Sequence, residues 1–171
     1  PVEPNQGKLW RKAVQLLASN QPQAVLELIS PHAKQDPQLG NLRGVCLMRI
    51  GKYDAAVQAY RTLVLAGNGF ELRDDVPVIF KTNYVTALLL ARNIFGATQV
   101  LHELQPHAKH PRVARLRECI DVCMRQRTLW RRIVHWFGGQ PGSPIVVDSP
   151  PGALVDENAT GAPNFPGSHA A

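Results

Sequence analysis

Strand signals are almost absent from the first 140 residues of this chain, and aromatic residues make up only 6% of the whole. A β-sandwich or barrel, which needs regularly spaced alternating segments, is thereby excluded for the body. No apolar run approaches the roughly 18 residues of a membrane-spanning helix; the longest, YVTALLLA from Tyr84, has the length of a buried helix face. Cysteine is scarce and odd in number. Cys46, Cys119 and Cys123 lie among helically spaced apolar residues, as buried thiols do and a disulfide framework does not. They fit a reducing compartment and favour the cytoplasm, while the location stays open. The chain begins at Pro1 without a methionine, so its native start is expected to lie upstream, where a signal or anchor remains open.

Positive charge is missing from one end. All 19 Lys and Arg fall within residues 1–137, and 138–171 carry only Asp148, Asp156 and Glu157 as charged Asp, Glu, Lys or Arg side chains. A net charge of +6 permits attraction to nucleic acid, acidic lipid or acidic protein, although such a surplus ordinarily marks a solvated surface. In the final 34 residues, 12 are Gly or Pro and helical periodicity stops, which divides the chain into a body at 1–137 and a tail at 138–171.

What the body does contain is apolar residues at intervals of three and four, interrupted by short breaks rich in Pro, Gly or Asn. The spacing predicts an all-α fold. Leu9, Ala13, Leu16 and Leu17 stripe one helix, and Ala24, Val25, Leu28 and Ile29 the next. A second pair follows, with Leu39, Leu42, Cys46 and Ile50 before a break at Gly51, then Ala56, Val57, Tyr60 and Leu63. A third pair is expected from about Pro77 to Ala91 and about Ile94 to Leu104. Pro111 to Phe137 is expected to form a capping helix, with Leu116, Ile120, Cys123, Trp130, Val134 and Phe137 at helical spacing.

The chain also repeats itself. VLELISPHAK, ending at Lys34, and VLHELQPHAK, ending at Lys109, agree at six of ten places, 75 residues apart. Two periods of about 34 leave about seven residues, which the loop AGNGFELRDDVPV accommodates. Within the second pair, Gly44 stands inside a helix, where glycine costs roughly 1 kcal/mol relative to alanine. Close approach of Ala56 or Tyr60 from the partner helix is the expected reason. Gly51, just past that helix, suits a left-handed terminator.

Gly44, Gly51, Tyr53, Ala56 and Tyr60 together resemble the tetratricopeptide repeat. Asn83–Leu104 is similar to a degenerate second copy that keeps Asn83 and Ala97 but lacks the turn glycine, and residues 9–37 to a third, with Ala24 and Pro37 in place. The resemblance spans roughly residues 8–110. It implies a short right-handed α-solenoid of about three helix pairs, whose first helices line a concave groove that holds a peptide or partner protein. Family members that clamp a terminal carboxylate use Lys and Asn on those helices; Leu9 and Ala13 occupy the matching places here, which argues against that ligand.

The expected function is accordingly a non-enzymatic adaptor or scaffold, without cofactor, metal or small-molecule substrate. Asn41, Val45, Met48 and Arg49 from one helix, and Thr82, Thr86 and Leu89 from the next, are the candidate groove residues. The polar ones would meet ligand backbone, Arg49 an acidic side chain, and Val45, Met48 and Leu89 apolar anchors. The alternative reading is a basic adaptor for nucleic acid or an acidic membrane surface, through Arg112, Arg115, Arg125, Arg131 and Arg132. In the tail, Ile145, Val146, Val147, Leu154 and Val155 are too apolar for a solvated linker, so residues 144–155 are expected to lie extended on the body, in the groove or on its rim.

Catalytic patterns fail on geometry. HELQPH sets His102 and His107 five apart, about 140° around a helix, with Pro106 breaking it, where a zinc hydrolase needs a spacing of four. Cys119 and Cys123 share a face near His107 and His110, but thiols in an apolar stripe ordinarily belong to a core. Gly67–Gly69 lacks a phosphate-loop lysine, and the Asn158 glycosylation triplet carries little weight without a known compartment.

Overall fold

The computed structural model describes residues 4–33, 36–67, 69, 71–137 and 151–154; for residues 4–6 and 126–137 it describes the backbone alone. Seven α-helices account for the described body: α1 (Pro4–Ala18), α2 (Pro22–Ile29), α3 (Pro37–Arg49), α4 (Tyr53–Val64), α5 (Val78–Leu90), α6 (Ile94–Glu103) and α7 (Pro111–Phe137). A 3-10 turn at Gln105–His107 follows α6. The chain is all-α; among the described residues the extended pairing is a single antiparallel bridge, Leu65 to Leu72, inside the long loop between α4 and α5.

Proline sets several helix starts: α1, α2, α3 and α7 each open on one, where the missing N–H removes a donor that would have no intrahelical partner and φ is already helical. The α3 start is reinforced by Asp36, whose Oδ1 accepts the Gln38 amide at 2.8 Å, and the α6 start by Asn93, whose Oδ1 accepts the Gly96 amide at 2.9 Å.

Three helices end the same way. After α1, the Gln21 amide reaches back to the Leu16 carbonyl and Asn20 to Leu17; after α3, Lys52 reaches Leu47 and Gly51 reaches Met48; after α5, Asn93 reaches Leu88 and Arg92 reaches Leu89. Each is a Schellman turn, and the residue at its centre is left-handed: Asn20 at φ 56°, Gly51 at 77° and Arg92 at 61°. Thus the third turn has the same geometry with an arginine at its centre, where the second has a glycine. The duplicated decapeptides share a turn as well, since the His32 amide donates to Ile29 and the His107 amide to Leu104, both at 2.9 Å.

Each α-helix from α1 to α7 packs on its successor in sequence; in addition α3 meets α5, and α5 meets α7. The core follows from this arrangement. α5 is enclosed along nearly its whole length, with Ile79 to Leu89 all buried. α3 is similar, whereas α4 presents only Ala56, Tyr60 and Val64 as fully buried residues. Of α7, Val113, Leu116 and Ile120 are buried where it meets the preceding helices. Gly44 is explained by Tyr60: a Cβ at residue 44 would lie within van der Waals overlap of the Tyr60 ring, and Ala56 is not its nearest neighbour. Counted from the terminating turns, Val85 and Leu101 occupy the corresponding places in the next pair, both buried. Two aliphatic side chains stand there in the places that a glycine and an aromatic hold in the preceding pair.

Candidate functional site

The site is a polar island in the apolar interface of α3 and α5. Asn41 on α3 and Asn83 on α5 are both wholly buried, which an amide tolerates only when its donors and acceptors are engaged. Tyr60 supplies the base of the network. Because Gly44 lets the end of its ring come close to α3, the Tyr60 hydroxyl reaches Asn41, with both the backbone carbonyl and Oδ1 at 3.1 Å, and its one proton is shared between them. Burial pushes the Tyr60 phenol well above its ordinary range, keeping it a neutral donor.

Asn41 Oδ1 also accepts from Asn83 Nδ2 at 2.9 Å. Two donors converging on that atom fix it as oxygen, which turns the Asn41 amide nitrogen outward. The second Nδ2 proton of Asn83 goes to the carbonyl of Ala153 at 2.7 Å, and the Ala153 amide returns a bond to Asn83 Oδ1 at 3.1 Å. Asn41 Nδ2 approaches the same carbonyl at 3.4 Å. Ala153 therefore has both of its backbone groups held by a single side-chain amide, as a neighbouring β-strand would hold them.

The chain so held is Pro151–Leu154. Gly152 lies over Val45 and Met48: a Cβ at residue 152 would come 2.9 Å from Val45 Cγ2 and 2.8 Å from Met48 Cε. Ala153 and Leu154 pack, partly buried, against the core.

Of the expected groove residues, Asn41, Val45 and Met48 converge beneath this segment. Arg49 ends α3 with its Nε buried and without a hydrogen-bond partner among the described residues. Thr82 and Thr86 lie buried within α5, their hydroxyls donating to the carbonyls of Ile79 and Thr82 at 2.9 and 3.0 Å, and Leu89 is wholly enclosed. Asn83 is the residue that sequence reasoning missed as a contact. Counted from the terminating turns, Thr82 is the counterpart of Asn41, and taking that place as groove-facing passes over Asn83, about 100° away around the helix. The available signal was an amide between Phe80 and Val85 in a helix whose buried polar residues also include Lys81, Thr82 and Thr86.

On α7, Arg112 is half-buried and Arg115 and Arg125 are exposed. The side chains of Arg131, Arg132, Trp130, Val134 and Phe137, and tail residues 144–150 and 155, lie outside the described residues. Cys46 is buried, and desolvation raises its thiol pKa to about 12 against a nearby Arg49 that lowers it. Among the described residues no group of three or more His, Cys, Asp or Glu side chains gathers as a metal site, and no helix is long and apolar enough to cross a membrane. No family model matches this chain, and no curated protein or solved structure matches it either.

Proposed function

We propose that this chain is a non-enzymatic protein-binding module, a short right-handed solenoid of helix pairs like those of tetratricopeptide proteins, whose first helices hold an extended segment of another chain. Packing of α3 on α5 and of α5 on α7 supports the stacking, because in such a solenoid the first helices of successive pairs line one face. The three equivalent Schellman turns closing α1, α3 and α5 support it independently.

The single observation that carries the functional reading is the pair of hydrogen bonds between the Asn83 side chain and the backbone of Ala153. A contact made to backbone reads chain conformation before side-chain identity, as strand-addition domains do. The Asn83 amide presents one donor and one acceptor spaced for a peptide unit.

A peptide array probed with the full chain tests this. Binding to a set of peptides that Asn83→Ala weakens by about tenfold or more is the expected result. Binding that ignores Asn83 but falls steeply with rising salt would overturn the groove reading and move the interaction to the arginines of α7.

A further inference from the structure

We infer that the seat on α3 and α5 is a glycine-reading peptide site, and that its resident ligand is the chain's own Pro151–Leu154. A competing partner would carry the same feature: a left-handed glycine followed immediately by a residue whose backbone Asn83 can bracket. This inference rests on the peptide-holding function proposed above and specifies its ligand.

Two independent features make glycine compulsory at the position of Gly152. Its φ is 83°, a conformation that glycine adopts freely and L side chains rarely do. There is also no space: any Cβ would press on Val45 Cγ2 at 2.9 Å and Met48 Cε at 2.8 Å. The methionine terminus is flexible and can yield. Val45 is β-branched, wholly buried and held in a packed helix, so it cannot. The glycine conformation in turn aims the next residue. From Gly152 the chain turns so that the Ala153 amide and carbonyl both face Asn83. Below them, Asn41 and Tyr60 fix the Asn83 amide in the orientation that receives a peptide unit.

The occupant is covalently attached, so it is present at an effective concentration of about millimolar order, and a free peptide must displace it. The full chain carrying Gly152→Val, a change in the tail alone, tests the seat with the body intact. The probe is a fluorescent peptide of the sequence of residues 148–157, followed by anisotropy, with circular dichroism as the folding control.

The peptide is expected to bind the Gly152→Val chain at least about tenfold more tightly than the wild-type chain, where the tail competes. Replacing the peptide's glycine by alanine should weaken binding by a similar factor, and adding Asn83→Ala to the chain should abolish it. In the wild-type chain the Ala153 amide should be protected from hydrogen exchange, and that protection should vanish with Gly152→Val.

Equal binding of the glycine and alanine peptides would overturn the inference and leave the peptide-holding function standing. Failure of both peptides to bind the Gly152→Val chain would overturn both. An Ala153 amide that exchanges equally fast in the two chains would remove the tail as resident ligand. A wild-type dimer that becomes monomeric with Gly152→Val would assign the seat to a second copy, against intrachain occupancy. Should Asn83→Ala fail to fold, the comparison of the two peptides still decides.

Discussion

Tyr60 and Gly44 form one unit at the residue scale. The ring fills the space that a side chain at residue 44 would take, and the hydroxyl it thereby delivers to Asn41 anchors the buried amides. Gly44→Ala gains about 1 kcal/mol of helix propensity but overpacks a fully buried aromatic, which costs about 1–3 kcal/mol. We expect net destabilisation, read as a lower midpoint in urea, together with faster exchange at Ala153 as the network is pushed apart. Tyr60→Phe keeps the packing and removes the hydroxyl. It should cost about 1 kcal/mol, with Ala153 protection reduced less than by Asn83→Ala, because Asn41 Oδ1 still has Asn83 as a donor. The reason for Gly44 was legible from its position inside a helical stripe. The role of Asn83 was not, because assigning which residue of a repeat faces a groove needs a register accurate to one residue, and α5 has apolar residues on every side.

The recurring device at the scale of the element is the left-handed turn that closes α1, α3 and α5. The sequence marks it clearly only once, at Gly51, and with an asparagine at Asn20; at Arg92 it offers a residue that gives no such signal. Helix extents were readable because the three- and four-residue periodicity and the opening prolines agree, whereas the identity of the third turn depends on backbone hydrogen bonds that side-chain chemistry does not announce. A non-glycine residue in this conformation carries a cost of about 1–2 kcal/mol. Arg92, exposed and at the centre of the turn, is therefore a site where Arg92→Gly should stabilise the protein by about 1 kcal/mol despite the added entropy of the unfolded chain. Thermal unfolding of the two chains checks the sign. A lower midpoint for Arg92→Gly would mean that the arginine side chain contributes more than the strain removes. The opposite kind of change, Asp36→Ala, deletes the α3 cap and should cost about 0.5–2 kcal/mol in the same measurement.

For the whole molecule, the middle layers hold both the site and three weak acids that must remain neutral. Cys46 on α3 has its pKa raised from 9.0 to about 12 by burial, and Tyr60 on α4 is raised above 10.0 by the same cause. Tyr84 on α5 is shifted in the same direction. In every case the folded state favours the protonated form, so the unfolded chain binds fewer protons once pH passes the ordinary values. The stability that Cys46 contributes is fully present below about pH 9 and is lost as pH rises from there to about 12, and that of the two tyrosines begins to be lost above about pH 10, at up to about 1.4 kcal/mol per pH unit for each group that titrates only on unfolding. Because α3, α4 and α5 pack directly on one another, ionising any of these groups loads the same cooperative core, and the loss should appear as global unfolding with simultaneous release of the tail. Urea midpoints measured at pH 8, 9, 10 and 11 should fall progressively. Cys46→Ala should flatten the first part of that decline and Tyr60→Phe the part above pH 10, while Ala153 protection disappears in step with the global transition. A midpoint constant to pH 11 would mean that these thiol and phenol groups find water without unfolding, and that the middle layers are looser than their burial indicates.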